Sequence, residues 1–168
     1  MDKIFKYRLN HNPYILMDFP NFNESTEDLI QYHTEAIDFD LPNSDQLTNW
    51  IKATIKTEQN ELSTLNFIFC NDAYLHTINV DYLNHDTFTD VITFPYTKAD
   101  EPIQGDIYIS LDRIKENAAK FDVPFLKELK RVMIHGVLHL CGYGDKSEKE
   151  AAIMRAKENF YLERLSVK

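Results

Sequence analysis

The run RVMIHGVLHLCGYGD, residues 131–145, holds the side chains best suited to chemistry. His135 and His139 stand four apart in a stretch that is otherwise apolar: Val132, Met133, Ile134, Val137, Leu138 and Leu140. On a helix this spacing puts both imidazoles on one face with Cβ atoms roughly 5–6 Å apart, the reach needed to share one tetrahedral ion. A neutral imidazole offers a lone pair at pH 7. Gly142 can take positive φ and end the helix, and Gly144 permits a second bend. The chain can then fold back and carry Asp145 toward the imidazoles. Three protein ligands in the pattern H-x3-H-x5-D leave one coordination position open, the layout of a catalytic zinc site. The competing reading is a pair of core histidines, since an imidazole buried in so apolar a helix must be hydrogen-bonded or ligated. The glycine break and the carboxylate beyond it favour the metal. A metallopeptidase of the usual kind carries Glu directly after the first histidine as general base; Gly136 has no acid to offer.

The elements that must hold these residues follow from periodicity and punctuation. Leu29 to His33 reads as a strand, and Asn43-Ser44-Asp45 offers caps for a helix from Asp45 to Gln59, with Leu47, Trp50, Ile51 and Ile55 at helical spacing. Leu62 to Cys70 reads as a strand. The helix after Asn71-Asp72 would bury Tyr74, Leu75, Ile78 and Tyr82. Asn84 to Thr89 is a polar loop. Asp90 to Phe94 and Gly105 to Ser110 are short apolar strands, and Leu111 to Phe121 is a helix. Pro124 opens a central apolar helix to Cys141, and Lys146 to Leu162 closes the chain with Ile153, Met154, Phe160 and Tyr161 toward the core. The expected fold is α+β: a small mixed four-stranded sheet covered by helices, with the metal site at the end of the central helix.

The chain has 168 residues, enough for one domain and one core. Residues 1–28 show no sustained period and read as an N-terminal arm or extension; residues 29–168 read as a single domain. No apolar run approaches the roughly 20 residues needed to span a bilayer, and no signal peptide is evident. Cys70 and Cys141 both sit in apolar runs and read as buried free thiols. These features point to a cytoplasmic protein. The formal charge of −9 opposes a nucleic-acid partner unless positive groups or a cation gather at one cleft.

HGVLHLCGYGD (135–145) is similar to the signature of the YbeY family. Two further stretches resemble that family in the same order: INVDYLNHDTFTDVITFP (78–95) and GDIYIS (105–110). The resemblance spans roughly residues 29 to 165. It implies a metal-dependent endoribonuclease acting on single-stranded RNA, maturing the 3′ end of small-subunit rRNA and serving ribosome quality control. It also implies one Zn²⁺ per chain, a small-ribosomal-subunit partner, and neither DNA nor membrane as partner. The sequence departs from the family pattern twice. Asp145 stands where a histidine is usual, a change that keeps a competent ligand and favours harder ions such as Mn²⁺. Leu83 stands where the family commonly has Arg.

The phosphate contacts must then come from elsewhere. Arg131 lies one turn before His135 on the ligand face, Lys127 one turn further back, and Arg113, Lys115 and Lys120 on the preceding helix are expected to border the same cleft. His85, in the loop of the middle motif, is either solvated or a proton donor or phosphate contact near the metal. Asp90 and Asp106 read as structural. Two rival functions stay open: a metallohydrolase of a peptide or small molecule, and a non-catalytic ribosome-assembly factor whose metal pins the final helices. A distant acid folded in beside the metal would mark the first, and a fourth protein ligand the second.

Overall fold

In a computed structural model, described over residues 29–83 and 85–165, the elements run β1 (Ile30–Glu35), α1 (Ser44–Thr57), β2 (Leu62–Cys70), α2 (Asp72–Leu83), β3 (Val91–Pro95), β4 (Ile103–Ser110), α3 (Leu111–Lys120), α4 (Phe125–Leu140) and α5 (Glu148–Leu165). The expected 1–28 arm lies outside the described residues. The four strands form one mixed sheet in the order β1-β2-β4-β3. β1–β2 and β2–β4 are parallel, and β3 returns antiparallel along β4. This is the α+β architecture expected from sequence.

Strand alternation sorts side chains to two faces. Leu65, Phe67 and Phe69 of β2 join Ile107 and Ile109 of β4 in the main core, where α1, α4 and α5 pack. The other face holds a smaller cluster of Cys70, Leu75 and Ile92, with Phe94 and Tyr108 against it, under α2. Helix α4 is buried along Leu129, Val132, Met133, Ile134, Val137 and Leu138, so the element that carries both histidines is fixed on the core. Each such fully buried aliphatic side chain contributes about 1.5–3 kcal/mol. Among the described residues, no helix is long and apolar enough to cross a membrane.

Three expectations about burial need correction. Ile153 and Phe160 are 42% and 39% exposed, whereas Met154 and Tyr161 are buried. The inward stripe of α5 runs Met154–Glu158–Tyr161, at spacings of four and three, and includes a carboxylate that an apolar count passes over. Tyr82 is 71% exposed, because α2 rests on the sheet through Leu75, with Tyr74 and Ile78 partly buried. Helix α5 begins at Glu148, not Lys146. There Ser147 and Glu150 form a reciprocal cap: the Glu150 amide donates to Ser147 Oγ at 3.2 Å, and the Ser147 amide donates to Glu150 Oε2 at 2.8 Å.

Candidate metal centre

The end of α4 is built by its sequence. Gly142 has φ +96°, and a Cβ there would meet no atom within 4 Å, so the glycine serves the backbone angle rather than space. The Tyr143 amide donates to Leu138 O at 3.0 Å and the Gly142 amide to His139 O at 2.9 Å, the paired bonds of a Schellman cap. Asp145 follows, held in the short stretch between this cap and the one that starts α5.

The result brings the three sequence-predicted ligands together. His135 Nε2 and His139 Nε2 are 2.9 Å apart. Asp145 Oδ2 lies 3.6 Å from the first and 3.5 Å from the second. Ligand atoms around a tetrahedral zinc at bond lengths near 2.0–2.1 Å would be roughly 3.3 Å apart, so the triangle has the right size. Among the described residues this is the one group of three or more His, Cys, Asp or Glu side chains that could hold a metal.

Hydrogen bonding on the far side of each ring tests the fit. His139 Nδ1 is 2.9 Å from the Tyr143 carbonyl, which can only accept. His135 Nδ1 is 2.7 Å from Glu158 Oε1. Both Nδ1 atoms must therefore carry the proton, and in the neutral rings both Nε2 atoms present lone pairs. Two lone pairs facing each other at this distance, with a carboxylate beside them, repel unless a cation or a proton lies between. The donor set suits a divalent cation, with each imidazole locked in the tautomer that metal ligation requires.

Glu158 was not singled out by the sequence reading. It is 1% exposed. Burial pushes its carboxyl up, but the His135 hydrogen bond and the charges of Arg131 and Arg155 outweigh this and hold it below the ordinary range. The legible signal was a charged residue on the Met154–Tyr161 stripe of α5.

Arg131 shares the expected helix face but is not free for a phosphate. Its side chain is 16% exposed, and its guanidinium forms a fork on Glu128 (2.9 and 2.7 Å) and reaches Glu158 Oε2 at 3.4 Å. Asp90 lies 3.7 Å away. Arg131 is thus the counter-charge of the acids behind His135. The neighbouring cations are also elsewhere: Arg113 pairs with Asp72 and Glu116, Lys115 faces Asp112, Lys120 sits over Phe121, and Lys127 lines a different groove.

A cleft of about 650 Å³ opens onto the three ligands. His85 is on its wall and exposed, so the structure brings it to the same cleft. Lys146 is the Lys or Arg that lines it among the described residues. Gly136 explains the missing peptidase glutamate. A Cβ there would lie 2.8 Å from Ile107 Cγ2 and 3.3 Å from Thr93 Oγ1, so this position packs on the sheet and has no room for a general base. Asp106 accepts from Asn66 and Tyr96 at 2.8 and 2.7 Å, tying β2, β4 and the segment after β3. Asp90 accepts from Asn117 at 3.3 Å. Both have structural partners. Cys70 and Cys141 are free, and burial pushes each thiol up to about 12.

Comparison with known proteins gives the family. The family model described as endoribonuclease YbeY matches residues 29–166. The endoribonuclease YbeY of Flavobacterium johnsoniae is 49% identical over 139 residues, covering 83% of this chain and 91% of that protein. The protein of the same name from Flavobacterium psychrophilum is 51% identical over 140 residues, covering 83% and 99%. The solution structure of TM1509 from Thermotoga maritima is similar with a TM-score of 0.59 and 30% identity, covering 81% of this chain and 88% of that one.

Proposed function

This chain belongs to the endoribonuclease YbeY family, and on that premise we propose that it is a metal-dependent endoribonuclease that cuts single-stranded RNA and processes ribosomal RNA. The observation that carries the reading is the converging triangle of His135, His139 and Asp145 at the floor of an open cleft. Zinc is the ion the two imidazoles favour, and the carboxylate makes Mn²⁺ a competent substitute. Once bound, the cation supplies a Lewis acid that stabilises charge as a phosphodiester bond breaks.

The chain's own residues supply position. Glu158 and the Tyr143 carbonyl fix the two imidazoles, and the His135 hydrogen bond with the charges of Arg131 and Arg155 keeps Glu158 anionic although it is buried. His85 and Lys146 stand on the cleft wall, where one can donate a proton or contact phosphate and the other can balance phosphate charge. We place the protein in the cytoplasm, as a single domain from residue 29 onward. Its partner is the small ribosomal subunit, with the 3′ end of its rRNA as substrate, and its role extends to ribosome quality control; DNA and membrane are not partners.

Both rival readings lose ground. Among the described residues no fourth protein ligand joins the three, as a purely structural metal would want; the distant acid that folds in, Glu158, holds His135 Nδ1 and not the side where the ligand atoms converge, and the peptidase glutamate has no space. The test is cleavage of matched single-stranded RNA, duplex RNA and single-stranded DNA by the zinc-loaded protein. The expected result is cutting of the single-stranded RNA alone, lost in His139→Ala. Hydrolysis of peptides without RNA cleavage would overturn the reading.

A further inference from the structure

The cleft has a wall that the metal chemistry does not use. Phe88 lines it and is 59% exposed. A lone exposed phenylalanine is ordinary, but this one is braced. The His76 ring packs on it at 4.8 Å between centroids, and Arg113 Cζ lies 5.3 Å from its centroid. Each brace is itself held by a carboxylate: His76 by Asp86 at 2.8 Å, and Arg113 by Asp72 at 2.6 Å. The loop is pinned on both sides of the ring. Buried Asn79 donates to Thr87 O at 2.7 Å and accepts from the His85 amide at 3.2 Å, and the Ser110 amide donates to Asp90 O at 3.0 Å. A large apolar ring is thus held on the wall of the cleft that also opens onto the three ligands, with more than half of its surface still exposed.

Charge narrows the ligand. The protein carries −9 overall, and the cations expected to border the cleft are paired with acids or placed elsewhere. Lys146 alone among the described Lys and Arg lines the cleft, so a polyanion gains little from side-chain charge and needs a neutral source of affinity here. Stacking of a nucleobase on an aromatic ring is such a source, and only an unpaired base has a free π-face to offer. We propose that Phe88 is the stacking platform for one base of the RNA, next to the phosphate held at the His135–His139–Asp145 centre, and so a determinant of single-strand selectivity. The inference rests on the endoribonuclease reading and deepens it.

The test uses the full-length protein in two states. Affinity for a fluorescein-labelled single-stranded RNA is measured on the metal-free form, where cleavage does not intrude, and KM for the same RNA on the zinc-loaded form. Phe88→Ala and Phe88→Leu should each weaken affinity and raise KM about tenfold or more, while Phe88→Trp keeps both near the parent. Zinc content should not change in any of the three. Moving a single abasic site along the RNA should cost the parent a similar factor at one position and cost Phe88→Ala nothing further there. The salt slope should be shallow, near that of one or two neutralised phosphates, and the same in all variants. Parent-like affinity in Phe88→Leu, or an abasic scan with the same profile in parent and Phe88→Ala, would overturn the platform while leaving the nuclease intact. A parent that neither binds nor cuts the RNA overturns both.

Discussion

His135 and His139 sit one turn apart on the same helix and point Nε2 at the same place, yet they are held in opposite ways. His139 is oriented by the carbonyl of Tyr143, four residues on, in the cap of its own helix. His135 is oriented by Glu158, a side chain brought from α5, with Arg131 behind it. One ligand is positioned by local backbone and the other by a long-range charge network. The first cannot be removed by changing a side chain. The second depends on the packing of α4 against α5 and on the burial of an anion.

Arg131 should expose that difference most strongly. Removing it leaves buried Glu128 without its guanidinium fork and leaves Glu158 with only Arg155 and His135, a loss of roughly 3–5 kcal/mol. Chemical denaturation of Arg131→Ala, metal-free, checks this. A loss below about 1 kcal/mol would mean that the network is relaxed or hydrated. Glu158→Gln comes next. It keeps the shape but weakens the hold on His135 and should cost about 10–100-fold in zinc affinity. Tyr143→Phe should leave zinc affinity within about twofold of the parent, because the carbonyl remains. Equal losses in the two variants, read by competition with a chelator, would erase the distinction between the two histidines.

Asp145 tests the third corner. Asp145→His should still bind zinc and move preference away from Mn²⁺ by several-fold, since imidazole is the softer donor; competition titration of the two ions reads it. The smallest effect concerns Glu58, which steadies the cap from behind. It accepts from the Tyr143 hydroxyl at 2.7 Å and from Lys157 at 2.8 Å, and also from the Tyr161 hydroxyl. Burial pushes its carboxyl up, but the hydrogen bonds from Lys157, Tyr161 and Tyr143 outweigh that and lower it. The folded form therefore titrates below the unfolded chain. Its contribution to stability is complete above the unfolded carboxylate range and is lost as pH falls through the lower folded value. The stability gap between the parent and Glu58→Gln should thus shrink as unfolding is followed from neutral to acid pH. A gap that holds constant or widens would contradict the sign.

What could be read from sequence divides along the same line. The His139 side was legible because its parts are local: the four-residue spacing, the glycine at the helix end and the acid just beyond. The sheet and its helices were legible for the same reason, through periodicities of two and 3.6 and their stops. The His135 side was not, because Glu158 is distant in sequence and charged, and it interrupts the apolar stripe by which an inward helix face is recognised. Arg131 was placed on the correct face, but its partners were not visible, so its charge was assigned to RNA rather than to the acids that neutralise it. Phe88 passed as part of a polar loop, since exposure beside a cleft has no sequence period.

The most direct measurement is metal content per chain, by elemental analysis after zinc loading and desalting, for the parent and for His135→Ala, His139→Ala and Asp145→Asn. The expected result is one zinc per parent chain, none retained in stoichiometric amount by either histidine variant, and a marked reduction in Asp145→Asn. Full occupancy in His139→Ala would contradict it.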